Sequence, residues 1–280
     1  EVLQDDEVRR VELHRKPLGV VCAIMPWNFP VLLAAFKFPA ALLVGNSFIL
    51  KPAPTTPVTS LMLGELARDV FPPGVFNVVT DLNDLGPTLT DHPDVAKISF
   101  TGSAATGKKV MAAAASTLKR GARELGGNDA SIVRDDVDIA TAAPKIFAGA
   151  FMNAGQVCIA IKRVYAHSSI YDALCDELAK LAGEAIVGDG LQQGTQIGPL
   201  QNAAQYEKAK SFLESAHREG RVIAGGEVAE GEGYFIRPTI VRDIEDGTML
   251  VDQEQFAPIL PIIKFDDVDD ALRHANNSEY

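Results

Sequence analysis

From Pro17 onward the chain alternates short apolar runs with longer stretches in which apolar side chains recur at helical spacing. The runs over residues 19–25, 47–50, 75–79 and 96–100 have the continuity of strands buried on both faces. Helical patterns begin near residue 32 and cover 59–70 and 106–118. Strand and helix in alternation predict a parallel α/β sheet. A second unit of the same kind starts near Gly126, with strands over 130–133 and 163–166 between helices over 139–153 and 171–185. Residues 202–219 read as an amphipathic surface helix, and the glycines between 225 and 233 as a hairpin region. Residues 1–16 are charged and alternating, compatible with a strand of a bridging arm. The expected division is therefore an arm over 1–16, a first domain over 17–125 and a second over 126–280.

Residues 31–50 are the one stretch of bilayer-spanning length, but Lys37, Pro39, Gly45 and Asn46 interrupt it. A buried helix followed by a short strand accounts for it better than a membrane span. At 280 residues the chain can hold two domains with substantial cores. Its 47% hydrophobic and 22% charged residues are ordinary for a globular protein, and a net charge of −11 argues against a nucleic-acid surface. Cys22, Cys158 and Cys175 are too few and too scattered for a disulfide framework, so a reducing compartment, the cytoplasm, is expected. No cysteine or histidine has the close spacing of a zinc site.

One cysteine stands apart. Cys158 closes the run Phe151-Met152-Asn153-Ala154-Gly155-Gln156-Val157-Cys158, behind a glycine that permits close approach of backbone and ligand. A thiol becomes a nucleophile when its proton is removed, and Glu124, in Glu124-Leu125-Gly126-Gly127, is the candidate base, set beside a Gly-Gly bend. Residues 96–103 read as a strand, a Gly102-Ser103 turn and a helix N-terminus, the arrangement that favours a pyrophosphate. Gly102 to Lys108 also fits the spacing of a phosphate-binding NTPase loop, but Lys109 stands where that loop needs a hydroxyl for magnesium. The strict Gly-x-Gly-x-x-Gly dinucleotide fingerprint is absent.

The Glu-Leu-Gly-Gly and Phe-x-x-x-Gly-Gln-x-Cys motifs, in order with Pro26-Trp27-Asn28-Phe29-Pro30, Lys51-Pro52-Ala53, Phe100-Thr101-Gly102-Ser103 and Glu254-Gln255-Phe256-Ala257-Pro258, resemble the aldehyde dehydrogenase superfamily along nearly the whole chain. The resemblance implies a Rossmann-type cofactor domain and an α/β catalytic domain, here a fragment lacking both ends. It implies oxidation of an aldehyde with NAD or NADP, in a protein that forms a homodimer or homotetramer at full length. By the same resemblance Cys158 is the nucleophile, Asn28 and the Cys158 amide form the oxyanion hole, and Glu124 activates the water that cleaves a thioester. Relatives that pass the acyl group to coenzyme A generally lack that glutamate, so hydrolysis is favoured. Lys51 resembles the lysine that holds the adenosine ribose, Glu254 and Phe256 the pair that positions the nicotinamide ribose and ring, and Gly102, Ser103 and Trp27 further cofactor contacts.

Three positions depart from the pattern. Pro54 stands where many NAD-preferring relatives carry a glutamate that grips the ribose, which implies that NADP is tolerated, if not preferred. Asn128 replaces the usual lysine, and Ala257 the usual glycine. Trp27, Phe151, Val157 and Ile159 flank the chemistry as an apolar substrate funnel or as plain core. A non-catalytic binding protein that kept the fold and a coenzyme A acyltransferase are the competing readings.

Overall fold

A computed structural model describes residues 1–229 and 231–280, which divide into two compact units, Glu1–Leu125 and Gly126–Tyr280. Among the described residues no helix is long and apolar enough to cross a membrane.

The first unit opens with an antiparallel hairpin, β1 (Val2–Asp5) and β2 (Arg10–Glu12), where a single strand was expected. A doubly wound unit follows: β3 (Val20–Ile24), α1 (Pro30–Leu43), β4 (Ser47–Lys51), α2 (Val58–Arg68), β5 (Phe76–Val78), α3 (Leu85–Asp91), β6 (Val95–Thr101), α4 (Ala104–Ala115) and β7 (Arg120–Glu124). Its sheet is parallel throughout in the order β5-β4-β3-β6-β7. Strand periodicity sends Val21 and Ala23 to one face, where they pack with Phe48 and Leu50, and sends Cys22 and Ile24 to the other, with Ile98 and Phe100. Phe38 of α1 closes the first face edge-on to Phe76, with ring centroids 5.4 Å apart.

The second unit comprises β8 (Ala130–Val133), α5 (Ile139–Phe151), a 3₁₀ turn (Met152–Gly155), β9 (Arg163–His167), α6 (Tyr171–Glu184), α7 (Ala203–Glu219), β10 (Arg221–Ala224), β11 (Thr239–Arg242), α8 (Met249–Asp252), β12 (Ile259–Phe265) and α9 (Val268–Asn276). Its sheet runs β10-β11-β12-β9-β8, parallel except for β10 at the edge. Tyr165, Leu174, Leu178, Phe212 and Ile262 are almost fully buried in one continuous core.

Several elements lie outside the sequence expectations. β7 reads Arg-Gly-Ala-Arg-Glu, a polar edge strand with no apolar run to mark it. α3 holds Gly86 and Pro87 in its first turn, where proline costs no hydrogen bond but breaks the pattern. β12 is central yet contains Pro261, a residue that argues against a central strand. Of the region expected as a hairpin over 225–233, Val228 forms an antiparallel bridge with Ile236, and residue 230 lies outside the described residues.

Candidate functional site

In the second unit the site grows from the turn that ends α5. Asn153 and Ala154 hold φ of 52° and 55°, and Gly155 follows at 73°, three consecutive residues in the left-handed region. For residues with a Cβ this costs about 1–2 kcal/mol each, so the turn persists only if its surroundings enforce it. They do. The Gln156 side chain, 3% exposed, donates to the Asn153 carbonyl at 3.0 Å and accepts from the Gln201 amide at 2.9 Å. The buried ammonium of Lys162 donates to the Gly155 carbonyl at 3.1 Å. Gly155 lies so close to the following loop that a Cβ there would stand 2.5 Å from the Ala257 carbonyl oxygen. Cys158 emerges from this braced turn half-buried, whereas Cys22 and Cys175 are fully buried, and burial pushes both of those thiols up to about 12. Of the three cysteines, Cys158 is the one within reach of a reagent or a substrate.

Around it the loop after β7 and the loop before β12 meet. Glu254 is half-buried and accepts from the Gly127 amide at 3.2 Å. A Cβ on Gly126 would lie 2.2 Å from a Glu254 carboxylate oxygen. Gly126 therefore makes room for Glu254, and a Cβ on Gly127 would stand 2.7 Å from Asp129 Oδ1; neither glycine has the positive φ of a sharp left-handed bend. Burial raises the Glu254 pKa, opposed by the charge of Lys162, the Gly127 amide and the charge of Lys208. Phe256 sits at φ 53° with the Lys162 ammonium 4.6 Å from its ring centroid. Lys162 is 1% exposed, and burial lowers its pKa to about 8 against the pull of Glu254, Asp129 and Cys158. Thus one lysine, absent from the sequence reading, ties together the Cys158 turn and the Glu254–Phe256 loop. Its signal was a cation directly after the apolar run from Val157 to Ile161, four residues after the cysteine.

The departures find places here. Asn128 is buried, donating to the Val251 carbonyl at 2.8 Å while its own carbonyl accepts from Arg163 at 2.9 Å, so it braces backbone. Ala257 is buried with an ordinary φ, and the left-handed residue of its loop is Phe256. Phe151 and Val157 are 1% and 3% exposed, and Phe151 packs on Phe147 within the core, so of the two readings these positions fit plain core; Ile159 is exposed.

The first unit carries the other candidates at the carboxyl ends of its strands. Trp27 and Asn28 are half-buried in the turn between β3 and α1. Glu124 is the last residue of β7 and is exposed. Lys37 of α1 donates to the Ser99 hydroxyl of β6 at 3.1 Å, and burial lowers its pKa against the charge of Glu124. Ser103 caps α4, accepting from the Thr106 amide at 3.3 Å. The Gly102 amide is already bonded to the Glu124 carbonyl at 3.1 Å, so it is not a donor for a ligand. Gly107 lies inside α4, where a Cβ would stand 2.6 Å from Leu125 Cδ2; it is a packing residue, which disposes of the NTPase-loop alternative. Pro54 lies half-buried in the turn between β4 and α2. Lys51, which could have been a solvated surface lysine, is instead 3% exposed and paired with Asp81 at 2.7 Å.

These residues fit a dinucleotide. The strand order of the first unit is the 3-2-1-4-5 part of a doubly wound dinucleotide-binding sheet, with its switch point between β3 and β6, and crevices at such points bind nucleotides. The α4 N-terminus offers amides and a dipole to phosphate, and Lys51 stands at the end of β4 as a donor for hydroxyls. Among the described residues no group of histidine, cysteine, aspartate and glutamate side chains could hold a metal.

Comparison with known proteins gives the arrangement its family. The family model described as "Aldehyde dehydrogenase family" matches residues 1–280. The chain belongs to the aldehyde dehydrogenase family. It is 43% identical over 280 residues to a putative aldehyde dehydrogenase, FUS7, of Gibberella fujikuroi, matching all of this chain and 59% of that protein. Among solved structures it resembles an NADP-dependent enzyme of E. coli at 37% identity and a TM-score of 0.95, covering 100% of this chain and 59% of that one. An aldehyde dehydrogenase from Bacillus cereus in complex with NAD+ matches at 37% identity and a TM-score of 0.92, over 95% of this chain and 55% of that one. The chain thus spans rather more than half the length of the family members it matches.

Proposed function

We propose that the protein carrying this sequence oxidises an aldehyde to a carboxylic acid with reduction of NAD or NADP, through a thioester on Cys158 that is hydrolysed by water activated at Glu124. The observation that carries this reading is Cys158 itself: the one accessible thiol of three, presented by a turn of left-handed residues that neighbouring hydrogen bonds hold in place. Strain that is enforced in this way is expected where a group must be aimed.

The Cys158 sulfur attacks the aldehyde carbon, and the carbonyl oxygen takes up negative charge. By the family resemblance, Asn28 Nδ2 and the Cys158 amide are the donors to that oxygen, and stabilising its charge lowers the barrier. A bound nicotinamide dinucleotide would supply the acceptor for the hydride of the substrate carbon. Glu254 and Phe256 would hold its nicotinamide end, and Lys162 steadies both the Phe256 ring and the Cys158 turn. The acyl group then rests on Cys158 as a thioester. Glu124 accepts a proton from water, the resulting hydroxyl attacks the acyl carbon, and the carbon–sulfur bond breaks. The exposure of Glu124 at the end of β7 suits a group that must meet water.

The exposed apolar residues Val2, Leu3, Val8 and Val11 on the hairpin of β1 and β2 support an arm covered by a second copy, hence a homodimer or homotetramer. Three free thiols are in keeping with a reducing compartment, the cytoplasm first of all. The test is absorbance of reduced nicotinamide when the full-length protein meets a panel of aldehydes with NAD and NADP in parallel. Reduction that requires both aldehyde and Cys158 supports the reading. Dinucleotide binding with no turnover across the panel would favour a protein that kept the fold without its chemistry, and turnover that requires coenzyme A would favour acyl transfer.

A further inference from the structure

The Lys51–Asp81 pair has no counterpart in the sequence motifs, and it bears on which dinucleotide is accepted. In a doubly wound sheet the carboxyl end of the second strand meets the adenosine ribose, with an acid there in NAD users and a cation in NADP users. In the first unit the second strand is β4, and its last residue is Lys51. Taken with Pro54, which offers no carboxylate, this would leave a free cation to welcome a 2′-phosphate. The fold supplies the missing carboxylate from the next strand. β5 lies beside β4 in register, Leu50 opposite Val78, and the chain that leaves β5 brings Asp81 Oδ1 to 2.7 Å from Lys51 Nζ. The Lys51 side chain is 4% exposed and that of Asp81 not at all. The second oxygen, Oδ2, accepts from the Leu85 amide at 3.1 Å where α3 begins.

We infer that Asp81 is a specificity-determining residue that makes this protein prefer NAD over NADP, by neutralising Lys51 and fixing a carboxylate beside the ribose end of the cofactor crevice. The inference rests on the dehydrogenase reading and concerns only the choice between the two cofactors. It reverses what Pro54 alone implies. Burial opposes ionisation of Asp81, but the Lys51 side chain, the Leu85 amide and the Lys51 charge outweigh it and hold the carboxyl below its usual range. The Lys51 ammonium has three donors, is ion-paired with Asp81 and donates to the Pro52 carbonyl at 3.4 Å, which leaves capacity for a ribose hydroxyl. A hydroxyl needs no more. A 2′-phosphate would instead bring its charge against an immovable carboxylate that already pairs with Lys51.

The experiment is calorimetric titration of the full-length protein with NAD and with NADP, in wild type and in Asp81→Asn. NAD should bind wild type about tenfold or more tightly than NADP, and Asp81→Asn should narrow that ratio by about fivefold or more, chiefly through tighter NADP. A wild-type ratio at or below one overturns the inference while leaving the dehydrogenase reading intact, and this arm stands even if Asp81→Asn fails to fold. A folded Asp81→Asn with an unchanged ratio also overturns it. Binding of neither dinucleotide by the wild type would overturn both.

Discussion

Gly155 is the position where the geometry makes its sharpest demand, and Gly155→Ala tests it. The residue has φ 73°, which for alanine costs about 1–2 kcal/mol. The new methyl would stand 2.5 Å from the Ala257 carbonyl oxygen, well inside contact, and its neighbours there are backbone atoms that cannot swing away. Relief requires the turn or the Ala257 loop to shift, which breaks the bond from Lys162 to the Gly155 carbonyl and adds about 1–2 kcal/mol. The sum, about 2–4 kcal/mol, lowers the unfolding transition by about 5–15 °C for a unit of this size. The control is Gly183→Ala: Gly183 is exposed near the end of α6 with nothing within 4 Å of an added Cβ, so the change should be neutral or stabilising by up to about 1 kcal/mol. Thermal unfolding and the rate of Cys158 alkylation, measured on both variants, decide the matter. A Gly155→Ala protein with wild-type stability and wild-type thiol reactivity would refute the idea that this turn is built around a residue without a side chain.

Other expectations follow from the same contacts. In the folded wild type a thiol reagent should label Cys158 alone, with Cys22 and Cys175 reacting only on unfolding, because burial holds their protons; mass spectrometry of digests would reveal the pattern. Lys162 has a folded pKa of about 8 against 10.5 unfolded, so between those values the unfolded state binds the extra proton and this group's contribution to stability rises with pH. Wild type minus Lys162→Met, compared by denaturant titration at pH 7.5 and near 10, should therefore change in favour of wild type by on the order of 2–3 kcal/mol; a pH-independent difference would dismiss the buried charge. Ser103→Ala should cost about 0.5–2 kcal/mol through loss of the α4 cap, read from the unfolding midpoint.

What could be read from the sequence follows the physics of each segment. The strands of the first unit showed themselves because burial on both faces demands unbroken apolar runs, as in Val20 to Ile24 and Ser47 to Lys51. β7 and β12 hid for opposite reasons: a polar edge strand has no such demand, and Pro261 contradicts the central position it occupies. Cys158, Glu124 and Asn28 were legible through motifs. Lys162 and Asp81 were not, since their roles come from burial and pairing with partners distant in the chain: a lysine under an aromatic ring, and an aspartate thirty residues from the lysine it neutralises. A sequence motif records which residue types stand together, whereas a buried charge is assigned its partner only by the fold.

The central claim is the division of labour between Cys158 and Glu124, and rapid mixing of the full-length protein with aldehyde and dinucleotide tests it most directly. With Glu124→Gln, reduced nicotinamide should appear in a stoichiometric burst followed by slow turnover, because the thioester forms but water is not activated; Cys158→Ala should show neither phase while still binding dinucleotide. Steady turnover by Cys158→Ala, or a Glu124→Gln protein whose steady rate matches wild type, would contradict the account.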